Sequence, residues 1–342
     1  MIRKFSISRL PIDPYLLLLL GTVGLAWLLP ARGAAATLTD DVVSGAVALL
    51  FFLYGARLAP EAIWAGITHW RLQGMVLLST YGLFPLIGVG LQALLRGHVQ
   101  PDLAVGLLYL CLLPSTVQSS IAFTSIARGN VAAAVCSASL SNMLGVLITP
   151  VLVALLSPAS RGGFSLHTLG AVGAQILLPF LAGQVARRWL APWLSRQPIL
   201  TAIVDRGSIL LVVYAAFSGG VAAGVWSKVS PSDLALILGL DLAILGLVVV
   251  STTLASRRLG FSTEDEIAIV FCGSKKSLAG GVPMATILFA GHAVSLIVLP
   301  LMLFHQAQLF VCATLARRYA RRDDSAVPAP ASEPGPRLSP MS

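Results

Sequence analysis

Long apolar runs alternate with short polar breaks along the whole chain. Each run is close to the roughly 20 residues a helix needs to cross a bilayer. The pattern predicts ten spans, at about 14–31, 41–59, 72–95, 103–127, 131–156, 166–186, 204–224, 234–255, 266–289 and 293–315. The first run also fits a signal peptide, with a basic start (Arg3, Lys4, Arg9) and small residues from Ala34 to Ala36. The placement of charge favours a span. Residues 1–322 thus read as a transmembrane domain, and the Pro-rich 323–342 as a disordered cytoplasmic tail.

Composition supports an all-α polytopic membrane protein. The chain has 342 residues, 56% of them apolar, with mean hydropathy +0.86. Only 11% are charged, against about 25% in soluble domains. A soluble enzyme, a nucleic-acid module and a disordered scaffold are excluded. The net charge of +9 needs no nucleic acid. With the amino terminus inside, seventeen Lys and Arg fall in cytoplasmic segments and four (Arg32, Arg96, Arg161, Lys228) outside. Lys275 and Lys276 remain within a span and complete the 23. This bias places both termini in the cytoplasm and fits the plasma (inner) membrane. Cys111, Cys136, Cys272 and Cys312 read as small apolar residues. Neither P-loop, HExxH nor Ser-His-Asp pattern occurs, so ATP-driven pumping and hydrolysis have no support.

Two spans are interrupted. The fourth reads LAVGLLYLCLLP and then STVQSSIAFTSIA, where Pro114 lacks an N–H and disfavours helix at Leu113. The polar cluster Ser115, Thr116, Gln118, Ser119 and Ser120 follows. The ninth holds Gly273, Ser274, Lys275, Lys276 and Ser277, then Gly280, Gly281 and Pro283. Each is followed by a similar span, around Pro150 and Pro300. The breaks occupy the fourth place of each set of five. Two five-helix repeats are therefore expected, at about 10–160 and 161–318, inverted because five is odd. Paired breaks of this kind point to a secondary transporter's binding site.

The segments PSTVQSSIAFTSIARGN, VDRGSILLVVYAAFS and FCGSKKSLAGGVPMA, with Asn142, resemble the bile acid:sodium symporter superfamily. The last segment is similar to its bile acid symporter-like branch, which includes the seventh member of vertebrate solute carrier family 10. The resemblance spans about residues 10–318. It implies a panel domain and a core domain, broken helices 4 and 9 crossing at the transport site, and alternating access. It also implies ion ligands on helices 4, 5 and 9. Carried over, these are Ser119 and Ser120, with Ser137, Ser139, Ser141 and Asn142 on helix 5. Na⁺ would be held at Ser119, Ser120, Ser137 and Ser141. Helix 9 departs from the sodium pattern: Phe271 stands where the acidic ligand would be, and Lys275 where the glutamine would be. An ammonium has three donors and no acceptor, so Na⁺ dependence is in doubt.

Lys275 and Lys276 lie deep in the span, where a charge costs about 2.5–3.5 kcal/mol. A lysine there can replace a lost cation, bind an anionic substrate, or exchange a proton. The substrate and ion site comprises Gln118, Ser119, Ser120, Ser137, Ser141, Asn142, Gly273, Ser274, Lys275, Lys276 and Ser277. Asp241 is a candidate charge partner; a proton- or cation-binding role and exposure at the outer interface are the alternatives. Asp205 reads as an interfacial pair with Arg206. The function expected is secondary transport of a small organic anion, without cofactor, by Na⁺, H⁺ or neither. The alternative is a membrane-embedded regulatory or partner-binding protein that keeps the fold without turnover.

Overall fold

A computed structural model describes residues 14–57, 69–95, 97–157 and 166–322. The basic cluster Arg3, Lys4 and Arg9, the loop residues Arg96 and Arg161, and the tail 323–342 lie outside the described residues.

Among the described residues the secondary structure is helical, without strands. The elements are α1 (Pro14–Leu28), α2 (Ala34–Arg57), α3 (Trp70–Leu78), α4 (Phe84–Leu94), α5 (Pro101–Leu112), α6 (Val117–Ile126) and α7 (Val131–Leu156). They continue with α8 (Leu166–Ser195), α9 (Pro198–Ala222), α10 (Pro231–Arg258), α11 (Thr263–Gly273), α12 (Leu278–Leu288) and α13 (Val294–Ala320). A π-helical turn, Ser79–Leu83, joins α3 to α4 without a break. Six of these segments are long and apolar enough to cross a membrane, and α5 with α6 makes a seventh, bent by 60°. Large apolar side chains such as Leu86, Leu155, Val185 and Ile199 are exposed, as suits contact with lipid. The chain is an integral membrane protein.

Several helices outrun the apolar pattern. α2 begins at Ala34, not near 41. Thr37 and Thr39, ahead of the predicted span, fold their hydroxyls onto the carbonyls of Ala34 and Ala35. α8 carries on through Arg187 and Arg188 to Ser195, because arginine is a good helix former and the helix can leave the apolar layer.

α2 packs along α8 and α9, with α1 against α9. The α2–α8 contact is backbone to backbone. Gly55 sits against the Phe180 carbonyl and Gly183 against the Phe52 carbonyl, so a Cβ on either would collide. Small residues allow this approach where lipid offers no hydrophobic drive. Asp205 of α9 makes a bidentate pair with Arg57 of α2, at 2.6 and 2.8 Å. Its bidentate partner is therefore Arg57 and not the expected neighbour, because adjacent helical residues point about 100° apart. In the other half, α5 lies between α4 and α13, α6 against α7 and α11, and α10 against α11 and α13. Asn130 caps α7 through the Ala133 N–H while its amide donates to Asp265 of α11.

Candidate functional site

Two helices stop in mid-course and resume after four residues, at 113–116 and 274–277. At the first gap Leu113 and Thr116 are extended (ψ 156° and 131°); for Leu113 this is what the following proline requires. At the second, Ser277 is extended and caps α12 by accepting from the Gly280 N–H. The gaps touch: the Ser277 N–H donates to the Pro114 carbonyl at 2.9 Å, and Thr116 Oγ1 donates to the Lys276 carbonyl at 2.8 Å.

A helix that ends inside a protein leaves its last carbonyls without intrahelical donors. Here each end is met from elsewhere. At the end of α11 the Val270 carbonyl takes the Ser274 hydroxyl and Phe271 takes Ser120. Cys272 takes Ser115, and Gly273 takes Ser79. At the end of α5 the Leu112 carbonyl takes the Thr149 hydroxyl, while Cys111 and Leu113 share one ammonium, Lys276 Nζ, at 3.1 and 2.6 Å. The third donor of that ammonium goes to Thr80 at 3.0 Å, a carbonyl of the π-helical turn, and Nζ stands 4.0 Å over the Phe84 ring. The Lys276 main chain is bracketed by the Gln308 amide. Three donors, three acceptors: Lys276 is a fully buried, saturated strut. Its charge complements the negative end of α5.

Lys275 is equally buried and differently placed. Its ammonium makes no hydrogen bond. It lies 3.9 Å over the Phe123 ring and 5.7 Å from that of Phe271. Tyr319 packs edge-on against Phe271. A desolvated cation–π contact is worth about 2 kcal/mol, and it leaves all three N–H donors unmatched. The structure thus separates two lysines that sequence treats alike: Lys276 holds the break together, and Lys275 presents an under-satisfied cation.

The other expected residues divide similarly. Ser120, Ser274 and Ser277 hold helix ends, and the Gly273 carbonyl is itself held. Ser141 Oγ accepts from the Ser115 N–H at 3.1 Å, while its carbonyl takes the Tyr81 hydroxyl at 2.6 Å. Asn142 points its amide oxygen toward Gly280 at the start of α12. Gln118 is exposed on α6. Ser119 Oγ and Ser137 Oγ are buried without hydrogen-bond partners. Asp241 is fully buried in α10, and neither carboxylate oxygen has a hydrogen-bond partner. The ion pair of Asp241 with a lysine is not formed, since Lys276 is saturated by carbonyls and Lys275 faces rings; exposure at the interface is ruled out by its burial. Among the described residues no cluster of His, Cys, Asp and Glu could hold a metal ion.

Sequence reasoning missed Ser79, Thr80, Phe84, Phe123, Thr149 and Gln308. The π-helical turn carries Gly82 and is followed by Pro85, but both sit inside a continuous apolar run without a polar cluster to mark a break, although such turns favour functional places. Thr149 beside Pro150 was within reach, since a hydroxyl near a closing-span proline is a natural donor to a broken neighbour.

Comparisons with known proteins show the family. The chain is 55% identical to the protein PA2026 of Pseudomonas aeruginosa over 326 residues, 94% of this chain and 97% of that one. It is 50% identical to YfeH of Escherichia coli strain K12, named there as a candidate symporter, over 92% of this chain and 94% of that one. Sodium/bile acid cotransporter 7 of Rattus norvegicus is 31% identical over 79% of this chain and 80% of its own. The family model described as the SBF-like CPA transporter family matches residues 13–321, and the chain belongs to that family.

Proposed function

We propose that this protein is a secondary active transporter of a small organic anion, working by alternating access with Lys275 as a fixed positive charge in place of a coupling cation. The architecture that goes with this reading has ten spans in two inverted five-helix repeats, about 10–160 and 161–318. Panel and core domains move against each other around the crossing of broken spans 4 and 9. Both termini are cytoplasmic, in the plasma (inner) membrane.

The observation that carries the proposal is the Lys275 ammonium, fully buried and without a hydrogen-bond acceptor. A carboxylate supplies what it lacks, a charge of opposite sign with acceptor lone pairs. Substrate binding then neutralises a charge that the empty carrier would have to take through its switch uncompensated. Exchange of substrate for substrate should accordingly outrun net flux. Of the four hydroxyls considered for Na⁺, Ser120 and Ser141 are committed to holding the crossing. Ser119 and Ser137 make no hydrogen bond with their hydroxyls. Four neutral hydroxyls with no carboxylate among them make a poor sodium site.

The test is exchange of labelled carboxylates, bile acids and keto acids first, in proteoliposomes with Na⁺ replaced by N-methylglucamine. Exchange should persist without Na⁺, be stimulated by substrate inside, and fall strongly in Lys275→Gln. Steep Na⁺ dependence, or full exchange by the variant, would overturn the proposal.

A further inference from the structure

A cleft of about 700 Å³ separates α2 and α9 from the facing ends of α12 and α13. That is within the range of small-molecule pockets. None of the gap residues, and neither lysine, lines it. Its helix ends are those that the charge bias assigns to the outer side.

At one wall α13 begins. Ala293 precedes this 27-residue helix and offers no side-chain cap, so the positive end of the helix meets the cleft. Ser295, in the first turn, lines the cleft and is 1% exposed, yet its Oγ has no hydrogen-bond partner. The indole Nε1 of Trp226 is likewise buried and unpartnered. The two converge on one place. A Cβ on Gly220, another lining residue, would strike Ser295 Oγ and come within 3.0 Å of Trp226 Nε1.

The Trp226 indole N–H and the Ser295 main-chain N–H can only donate, and the serine hydroxyl adds a further donor; the neighbouring N–H groups of Val294 and Leu296 already donate to the carbonyls of His292 and Ala293. Buried polar groups are normally paired; this set is matched by a ligand that only accepts. Val43, Val47 and Ile287 give the same cleft an apolar side. Two charged or titratable groups line the cleft as well: Asp40, exposed on α2 at its rim, and His292, 4.0 Å from Asp102.

We infer that this cleft is a second binding site, where Ser295, Trp226 and the start of α13 receive the carboxylate of an amphipathic organic anion before it reaches Lys275. Its role as a receiving site rests on the transport reading; its capacity to bind does not.

The test is calorimetric titration of the purified full chain with 2-naphthoate and with its neutral counterpart 2-naphthylmethanol. Naphthoate should bind, the alcohol at least tenfold more weakly. Ser295→Ala and Trp226→Phe should each weaken naphthoate binding about tenfold or more, the size of one hydrogen bond to a charged group. Trp226→Phe keeps a ring to stack on Phe217, 5.0 Å away, and removes the N–H. No naphthoate binding, equal binding of the alcohol, or unchanged affinity in both variants would each overturn the inference. Serine-dependent binding in a protein that performs no exchange would sink the transport reading alone. Exchange that persists with serine-independent binding would sink the receiving site alone.

Discussion

Replacing Lys276 by methionine should destabilise the protein, while the same change one residue earlier should not. Methionine keeps the length of the side chain and removes the ammonium. At Lys276 it strips donors from three buried carbonyls, of Thr80, Cys111 and Leu113. At about 1–3 kcal/mol for each group left unsatisfied, the loss is about 6 kcal/mol. Removing a charge from the apolar layer returns about 3 kcal/mol, which leaves a net cost of about 3 kcal/mol. At Lys275 no hydrogen bond is lost. The same return of about 3 kcal/mol is set against a cation–π contact of about 2 kcal/mol, so Lys275→Met should be neutral or stabilising by about 1 kcal/mol. The two variants then differ by about 4 kcal/mol, or roughly 6 °C in Tm for a chain of 342 residues. Thermal unfolding of both in one detergent reads the difference directly, and exchange assays complete the pattern: Lys275→Met should be stable and inactive. Equal destabilisation by the two changes would refute the assignment of Lys276 as a strut. So would a larger loss at Lys275.

Three further outcomes follow from the same geometry. Asp241 has no hydrogen-bond partner, so Asp241→Asn should leave Tm unchanged or raised, and its effect should add to that of Lys275→Gln; a rescue of one by the other would reveal a coupling absent from the structure. A double-mutant cycle on Arg57→Gln and Asp205→Asn should give a coupling of about 1 kcal/mol or more, since the pair is bidentate and shielded (31% and 12% exposed); zero coupling would reduce it to an ordinary surface contact. For topology, cysteines placed near Arg96 and Lys228, in a background with Cys136 replaced by alanine, should react with an impermeant reagent added outside. One near Arg188 should not, and the reverse pattern would invert the orientation.

Much of this molecule is written in its apolar pattern because the bilayer asks for little else. The run 131–156 coincides with α7, and the two interruptions fall at the residues where the backbone gives way. Pro114, Gly273 and the lysines are chemically conspicuous in an apolar setting, so the site could be located from them. What the pattern could not reveal is pairing. Lys275 and Lys276 are identical in type and adjacent, and only the position of distant carbonyls makes one a strut and the other an open cation. Asp205 lies next to Arg206 in sequence, yet Arg57 arrives from another helix with better geometry. Helix ends were misjudged where polar residues satisfy themselves locally, as Thr37 and Thr39 do at the start of α2.

The way the two helix ends are held bears on how the protein is made. Leu113 and the ammonium that engages it are 163 positions apart in the chain, and Cys272 is separated from Ser115 by 157. At about 5–20 residues per second of synthesis, the first half waits on the order of 8–30 s in the membrane before Lys276 emerges from the ribosome. Throughout that interval the carbonyls at the end of α5 lack their final donor, in a solvent that provides none. Insertion of this chain therefore passes through a half-made intermediate with an open polar break, and the machinery that shelters it, or water drawn in beside it, sets how often synthesis ends in a folded molecule.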